Sequence, residues 1–311
     1  MIIIRAGVLG FCMGVRRAVE LASAEAQSSA PVYTLGPLIH NPRVLADLEN
    51  LGVKIIDKPP SDLRGCSLVI RAHGIEPVTE KELLNSGARI VDATCPKVKV
   101  SQLRTQELAH AGYCLFLAGE ANHAEIKGIL GFALAAKLPA LAAKFPALAA
   151  QLPAAKLPAD GTSFCVVAGN AKEAGAAARK LYKEQENAKT ALIGQTTISE
   201  AEYNSIGEAI KVYFPNLEII QTICAATKDR QQALSELLDK VDAVIIAGGR
   251  ESANTRRLLS IASASGKPCA LVEDASEIPP DFFSYERIGL SAGASTPDSV
   301  IDEIERELMR V

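Results

Sequence analysis

The sequence predicts an α/β protein of two or three units with mostly parallel sheets. Short apolar runs of strand length alternate with amphipathic helical stretches at the spacing of βα units. The 311 residues, 48% of them hydrophobic, are ample for a packed core but exceed the size at which one core usually stays single. Chemistry-bearing polar residues gather after the strand-like runs, where open α/β sheets bind ligands.

IIIRA reads as a strand, Val15 to Ala24 as a helix, PVYTLG as a second strand and PRVLADLENLG as a helix stopped at Gly52. VKII, a PP turn and CSLVIRAHG follow, the last stopped by His-Gly. ARIVDATCPKVKVSQLRTQELAHAG restarts the pattern, with a strand through Val91 and a helix after Pro96. GYCLFLAGEANHAEIKGILG supplies the next strand and helix start, then FCVVAGN leads into an Ala-rich helix and TALIGQTTISEAEYNSIGEAI repeats the unit. LEIIQTICAATKDRQQALSELL, DAVIIAGGRESANTRRLLSIA, PCALVED and RIGLSAGASTPDSVIDEIERELM complete the chain. The expected domains are 1–96, 97–195 and 196–311, with the C-terminal tail a candidate to pack on the first.

LPALAAK, FPALAAQ, LPAAK and LPA, between Ala136 and Pro158, do not fit the pattern. A proline in every copy removes a backbone donor and clashes with the preceding turn, which excludes a regular coiled coil. This insertion, near 133–159, is expected to be an external loop or arm without chemistry.

A formal charge of -3 with no Lys/Arg block makes nucleic acid or an anionic membrane a poor main partner. MIIIRAGVLGFCMG carries no tripartite secretory signal and the apolar stretches are broken before they could span a bilayer, so a cytoplasmic chain is expected. Seven cysteines, an odd number spread over a long chain, do not resemble a disulfide framework.

Those seven divide by local context. Cys66, Cys114, Cys165 and Cys269 sit at the beginnings or interiors of strand-like runs, where a thiol is a compact hydrophobe. Cys12, Cys95 and Cys224 each follow a strand-like run and directly precede a helix, whose N-terminus favours thiolate. Three such thiols suit a shared metal centre or three isolated reactive sites, and their spacing matches no short zinc or ferredoxin motif.

His40, His73 and His123 lie in polar loops, GPLIHNPRV, VIRAHGIEP and GEANHAEIKG, and would line an anion pocket without a Lys cluster. His110 reads as a helix-end residue. Glu125 begins a helix, where it serves either as first-turn charge complement or, in a dry site, as a general acid. Thr196, Ser252, Asn254 and Ser295 add oxygen-binding groups after strands. GxGxxG and GK[ST] endings are absent, so no dinucleotide or P-loop site is expected.

The set GFCMGVRRAV, GPLIHNPRV, RAHG, DATCPKV, NHAEIKGILG, IGQTTIS, ICAATKDRQ, GGRESANTRRL and SAGASTPDS resembles the 4-hydroxy-3-methylbut-2-enyl diphosphate reductases of the non-mevalonate isoprenoid pathway. The motifs cover residues 1–132 and about 160–311 in family order. The resemblance implies a trefoil of three α/β units around a 4Fe-4S cluster held by Cys12, Cys95 and Cys224, with one iron open to substrate. It implies that His40, His73, His123, Ser252, Asn254 and Ser295 hold the diphosphate, and that Glu125, His123 and Thr196 serve catalysis. The implied reaction is reductive dehydroxylation of the allylic diphosphate to isopentenyl and dimethylallyl diphosphate, with electrons from a ferredoxin or flavodoxin and the protein a monomer. Ala253 departs from the family, which often has a second serine there. The rival readings are a zinc hydrolase on the three cysteines and a cluster-bearing sensor or interaction protein without turnover.

Overall fold

The computed structural model describes residues 1–28, 30–60, 62–135 and 165–310. The proline-heptad insertion beyond Ala135, and the loop or arm expected there, lie outside the described residues. The chain runs β1 (Ile2–Arg5), α1 (Met13–Ala26), β2 (Val32–Leu35), α2 (Pro42–Asn50), β3 (Val53–Ile56), β4 (Ser67–Ile70), α3 (Pro77–Asn85) and β5 (Arg89–Asp92). It continues with α4 (Pro96–His110), β6 (Cys114–Ala118), α5 (Ala124–Ala135), β7 (Cys165–Ala168), α6 (Ala171–Glu184), β8 (Thr190–Gly194), α7 (Glu200–Lys211) and β9 (Glu218–Ile219). The last elements are α8 (Ala225–Leu238), β10 (Ala243–Ala247), α9 (Ala253–Ala264), β11 (Cys269–Val272), two short 3-10 turns, β12 (Arg287–Ala292) and α10 (Asp298–Leu308).

Every strand pair is parallel, and the strands form three four-stranded sheets in the orders β3-β2-β4-β5, β7-β6-β8-β9 and β1-β12-β10-β11. The α/β class with parallel sheets expected from the alternating pattern is therefore the observed one. Middle strands such as SLVI, CLFLA, TALIG and AVIIA are buried along their whole length. Such continuous apolar runs mark parallel strands covered by helices on both faces. Helix starts follow local chemistry: proline opens α2, α3 and α4, while Asn41, Asn170, Ser199 and Ser252 accept the first free amides of their helices.

The described residues pack as two compact units, each discontinuous in sequence. One comprises Met1–Ala72, Arg89–Ala93 and Cys224–Val311 and carries the sheets of β2 and β10. The other comprises His73–Ala88 and Thr94–Ile223 and carries the sheet of β6. In this second unit Phe116 and Leu192 face a core with Tyr203 and Ile206, while Leu115, Leu117 and Ile193 face a second core with Ile129. Period-two alternation thus places apolar groups on both faces, and each fully buried Leu, Ile or Phe contributes roughly 1.5–3 kcal/mol.

All three sheets share one spatial order. The central pair is β2 and β4, β6 and β8, or β10 and β12, with β3, β7 and β11 beside the first of each pair. In the sheets of β2 and β6 the connections that leave the central pair run in opposite directions, to β3 and β5 or to β7 and β9, which opens a crevice at their carboxyl ends. The remaining edge, beside β4, β8 and β12, is taken by β5, β9 and β1. This last placement differs from the order in which the sequence reads. IIIRA stands at the head of the first unit in sequence, yet β1 pairs with β12, Ile2 opposite Arg287. Likewise LEII reads as the opening of the third unit, whereas β9 pairs with β8. Local patterns determine that a strand exists, but carry no information on which distant edge it completes.

Candidate functional site

Sorted by that topology, the candidate residues fall into two series. His40, His73, His123, Glu125, Thr196, Ser252, Asn254 and Ser295 all follow the central strand pairs, β2 and β4, β6 and β8, or β10 and β12. Cys12, Cys95 and Cys224 follow the strands of that remaining edge, β1, β5 and β9. Each of these cysteines is the residue that begins a helix: Cys12 for α1, Cys95 for α4 and Cys224 for α8. The sulfur of Cys12 accepts a hydrogen bond from the Val15 amide at 3.4 Å, and its own amide donates to Ala294 O at 3.0 Å. Cys95 and Cys224 do not use their sulfur to cap the helix.

The remaining cysteines sit where an apolar filler would. Cys114 and Cys165 are buried at the starts of β6 and β7, Cys269 begins β11, and Cys66 directly precedes β4. His110 is the exposed last residue of α4.

In the unit that carries β6, the register Ala118 opposite Gly194 brings the loops after β6 and β8 together. Gly119 permits this closeness: a side-chain carbon there would lie 2.7 Å from Gln195 Oε1 and 2.9 Å from Ile126. Gln195 Oε1 instead accepts from the Glu120 amide at 3.0 Å and closes the crevice. Glu125, 1% exposed, is held there by one residue: the Thr196 amide donates to Oε1 at 2.7 Å and the Thr196 hydroxyl to Oε2 at 2.9 Å.

Burial pushes the Glu125 carboxyl up from its ordinary 4.5 to about 7, against the two Thr196 hydrogen bonds, which favour the ionised form. A carboxyl balanced near neutrality is suited to give a proton. The Glu125 amide donates to His123 Nδ1 at 3.2 Å. Accepting at Nδ1 leaves the proton of the neutral ring on Nε2. The His73 ring stands almost perpendicular to that of His123, with centroids 5.3 Å apart.

The other unit collects His40, Ser252, Asn254 and Ser295. His40 precedes Asn41, the cap of α2, and its carbonyl accepts from the Ser295 hydroxyl at 3.2 Å. Burial lowers the His40 pKa, helped by the charges of Arg71 and Arg256 and opposed by Glu251, so its ring stays neutral at ordinary pH. Ser252 caps α9 through the Thr255 amide at 3.4 Å. Asn254, 4% exposed in the first turn of α9, has neither side-chain amide atom bonded among the described residues. Orphaned buried amide atoms at a helix N-terminus need a polar guest, and an anion is the guest such a terminus favours.

Gly249 lies against the His40 backbone, and a side-chain carbon there would fall on the His40 carbonyl oxygen. Gly249→Ala is therefore expected to lower folding stability by about 1–3 kcal/mol, as overpacking does. Gly7→Ala, at an exposed position with open space around it and no positive φ, is the control: added pyrophosphate should raise Tm in the native chain and in Gly7→Ala, and fail to do so in Gly249→Ala.

Sequence reasoning passed over Arg230 and Gln195. Gln195 is 2% exposed and closes the β6–β8 crevice; its signal was its place between IG and TT, directly after β8. Arg230 is also 2% exposed, although a lone arginine in the polar run TKDRQQ reads as surface charge.

Comparison with known proteins agrees along the whole chain. The model of the family described as LytB protein matches residues 3–309. A protein of Treponema denticola named 4-hydroxy-3-methylbut-2-enyl diphosphate reductase is 42% identical over 317 residues, covering 99% of each chain. A relative of the same name from Treponema pallidum is 41% identical over 328 residues, covering 99% of this chain and 83% of its own. Among solved structures, an (E)-4-hydroxy-3-methyl-but-2-enyl diphosphate reductase, described as the terminal enzyme of the non-mevalonate pathway, aligns with TM-score 0.68 at 34% identity over 100% of both chains. The E-1-hydroxy-2-methyl-but-2-enyl-4-diphosphate reductase of Plasmodium falciparum aligns with TM-score 0.81 at 25% identity, covering 98% of this chain and 87% of that one.

Proposed function

This chain belongs to the LytB protein family and is an oxidoreductase, and we propose that it reduces (E)-4-hydroxy-3-methylbut-2-enyl diphosphate to isopentenyl and dimethylallyl diphosphate. The observation that carries the reading is the buried Glu125, clasped by Thr196 at the carboxyl ends of β6 and β8. Loss of an allylic hydroxyl needs a proton on the departing oxygen, and a carboxyl near pKa 7 inside a dry crevice can supply it. The substrate consumes two electrons and two protons, releases water and keeps its diphosphate.

Cys12, Cys95 and Cys224 are the residues that would hold a 4Fe-4S cluster. The donor set fits it: three thiols, each the residue that begins a helix, and thiolates are the ligands such clusters take. When bound, such a cluster supplies the electrons one at a time and a Lewis-acidic iron for the hydroxyl. His40, Ser252, Asn254 and Ser295, with His73 and His123, bind the diphosphate through hydrogen-bond donors and so fix the small apolar remainder by remote binding energy. The amide of Ala253, first residue of α9, has no intrahelical acceptor and serves in place of the serine common in the family.

A ferredoxin or flavodoxin is the electron donor in this reading. The chain acts as a cytoplasmic monomer of three domains, 1–96, 97–195 and 196–311 in sequence, except that β1 completes the sheet of the third and β9 that of the second. Among the described residues no helix is long and apolar enough to cross a membrane.

Thr196→Val removes a hydrogen bond that favours the Glu125 carboxylate, so the carboxyl pKa rises further. The alkaline fall in kcat is expected to move to higher pH by about one to two units, the worth of a hydrogen bond to a charged group. A pH-rate profile unchanged by the substitution removes Glu125 from the rate-limiting proton transfer.

The reading as a whole is tested by anaerobic reconstitution with iron and sulfide, metal and sulfide analysis, and an assay of the allylic diphosphate with a reduced donor. The expected result is iron with acid-labile sulfide and loss of the substrate hydroxyl. Zinc without sulfide, or a loaded protein that leaves the substrate untouched, overturns it.

A further inference from the structure

Arg230 lies in the second turn of α8, 2% exposed, on the helix that Cys224 begins. Its Nη2 donates to Gly10 O at 2.6 Å and its Nη1 to Ala226 O at 2.9 Å. Gly10 precedes Cys12 by two residues and Ala226 follows Cys224 by two. One planar guanidinium, braced on its own helix at Ala226, therefore ties the helix that Cys224 begins to the loop that carries Cys12, within the same compact unit. Arginine suits this because its donors leave the group in a rigid fork, whereas a lysine ammonium is a single point on a flexible stem.

The burial of this cation is otherwise uncompensated. No carboxylate pairs with Arg230 among the described residues, and its Nε has no partner there. Carbonyl dipoles alone are a poor exchange for water around a full charge. Burial lowers the Arg230 pKa, while the charges of Cys12, Cys224 and Asp229 hold the protonated form. Asp229 is exposed, whereas Cys12 and Cys224 are half-buried, so the charges of the two cysteines are the less screened of the three.

We propose that Arg230 is a positioning residue that ties the Cys12 loop to the helix that Cys224 begins and supplies a fixed positive charge favouring the reduced cofactor. The proposal rests on the cluster-binding reading above. In a low-dielectric interior a nearby cation stabilises added negative charge far more than it would in water. The guanidinium keeps its proton throughout; each electron comes from the external donor and passes on to the substrate.

The test uses the full chain, reconstituted anaerobically, as wild type, Arg230→Lys and Arg230→Met, with iron and sulfide quantified and the midpoint potential titrated in each. Arg230→Met should move the reduction equilibrium about tenfold toward the oxidised form, about 59 mV to more negative potential for one electron. Arg230→Lys, which keeps the charge, should restore most of that shift while retaining less iron, since it cannot bridge both carbonyls. If Arg230→Met does not load, alkylation of apo Arg230→Lys, which keeps the positive charge and loses only the fork, decides. Severalfold faster reaction at Cys12 and Cys224 than in wild type, with Cys269 unchanged, supports the tie; equal rates overturn it. Wild type that takes up no iron and sulfide overturns the cluster reading and this proposal with it. Wild type that loads, with Arg230→Met at the same potential, overturns the Arg230 assignment alone.

Discussion

Glu125→Gln is expected to lower kcat for the allylic diphosphate by about 10²–10⁴-fold, the usual worth of a positioned general acid, while iron, sulfide and substrate binding stay near wild type. Glutamine keeps the shape and can still accept from the Thr196 amide, but it has no proton to give at neutral pH. The measurement is single-turnover reduction in the loaded protein, with substrate affinity determined separately. Full activity removes Glu125 from proton delivery.

The same substitution carries a thermodynamic signature. The folded-state pKa of Glu125 is about 7, raised from an ordinary 4.5 by burial. Between those values the folded chain holds more protons than the unfolded one, so stability falls as pH rises through that window. Above it the burial of the carboxylate is a constant penalty on the order of 3 kcal/mol. Glu125→Gln is therefore expected to be more stable than wild type in urea at pH 8, and to lose that advantage at pH 4. An advantage of the same size at both values would show that the carboxyl is not held near neutrality.

Cys12→Ser, Cys95→Ser and Cys224→Ser should each cost more than the roughly 10–100-fold loss in metal affinity that follows removal of outer supporting groups. Iron, sulfide and turnover are expected to fall together in all three. Cys165→Ser, which buries a hydroxyl in an apolar core, should load normally and lose about 1–3 kcal/mol of stability instead. The contrast separates a ligand from a core thiol, because the first changes metal content at constant fold and the second changes stability at constant metal content. Normal loading in Cys95→Ser would remove that residue from the ligand set.

Much of this was legible in the chain because parallel sheets punctuate their own sequence. Runs such as CLFLA and AVIIA announce buried strands, and whatever stands between them and the next helix lies at the carboxyl end. That rule separated Cys12, Cys95 and Cys224 from Cys114 and Cys165 without any coordinates. It also put Glu125 and Thr196 into matching loops, although the two hydrogen bonds between them depend on the β6–β8 register, which no local pattern encodes. Arg230 was hidden for the opposite reason: its helix is polar on several sides, and only the return of the Gly10 loop across 220 positions turns a surface-type residue into a buried one.

The pairing of β1 with β12 gives the molecule an awkward birth. β1 (Ile2–Arg5) is made long before β12 (Arg287–Ala292), the strand with which it pairs. At roughly 5–20 residues per second, β1 waits on the order of tens of seconds without its partner, and the Cys12 loop waits with it. The Cys12 amide therefore finds its acceptor, the Ala294 carbonyl, only after the other strands of the three sheets have been made.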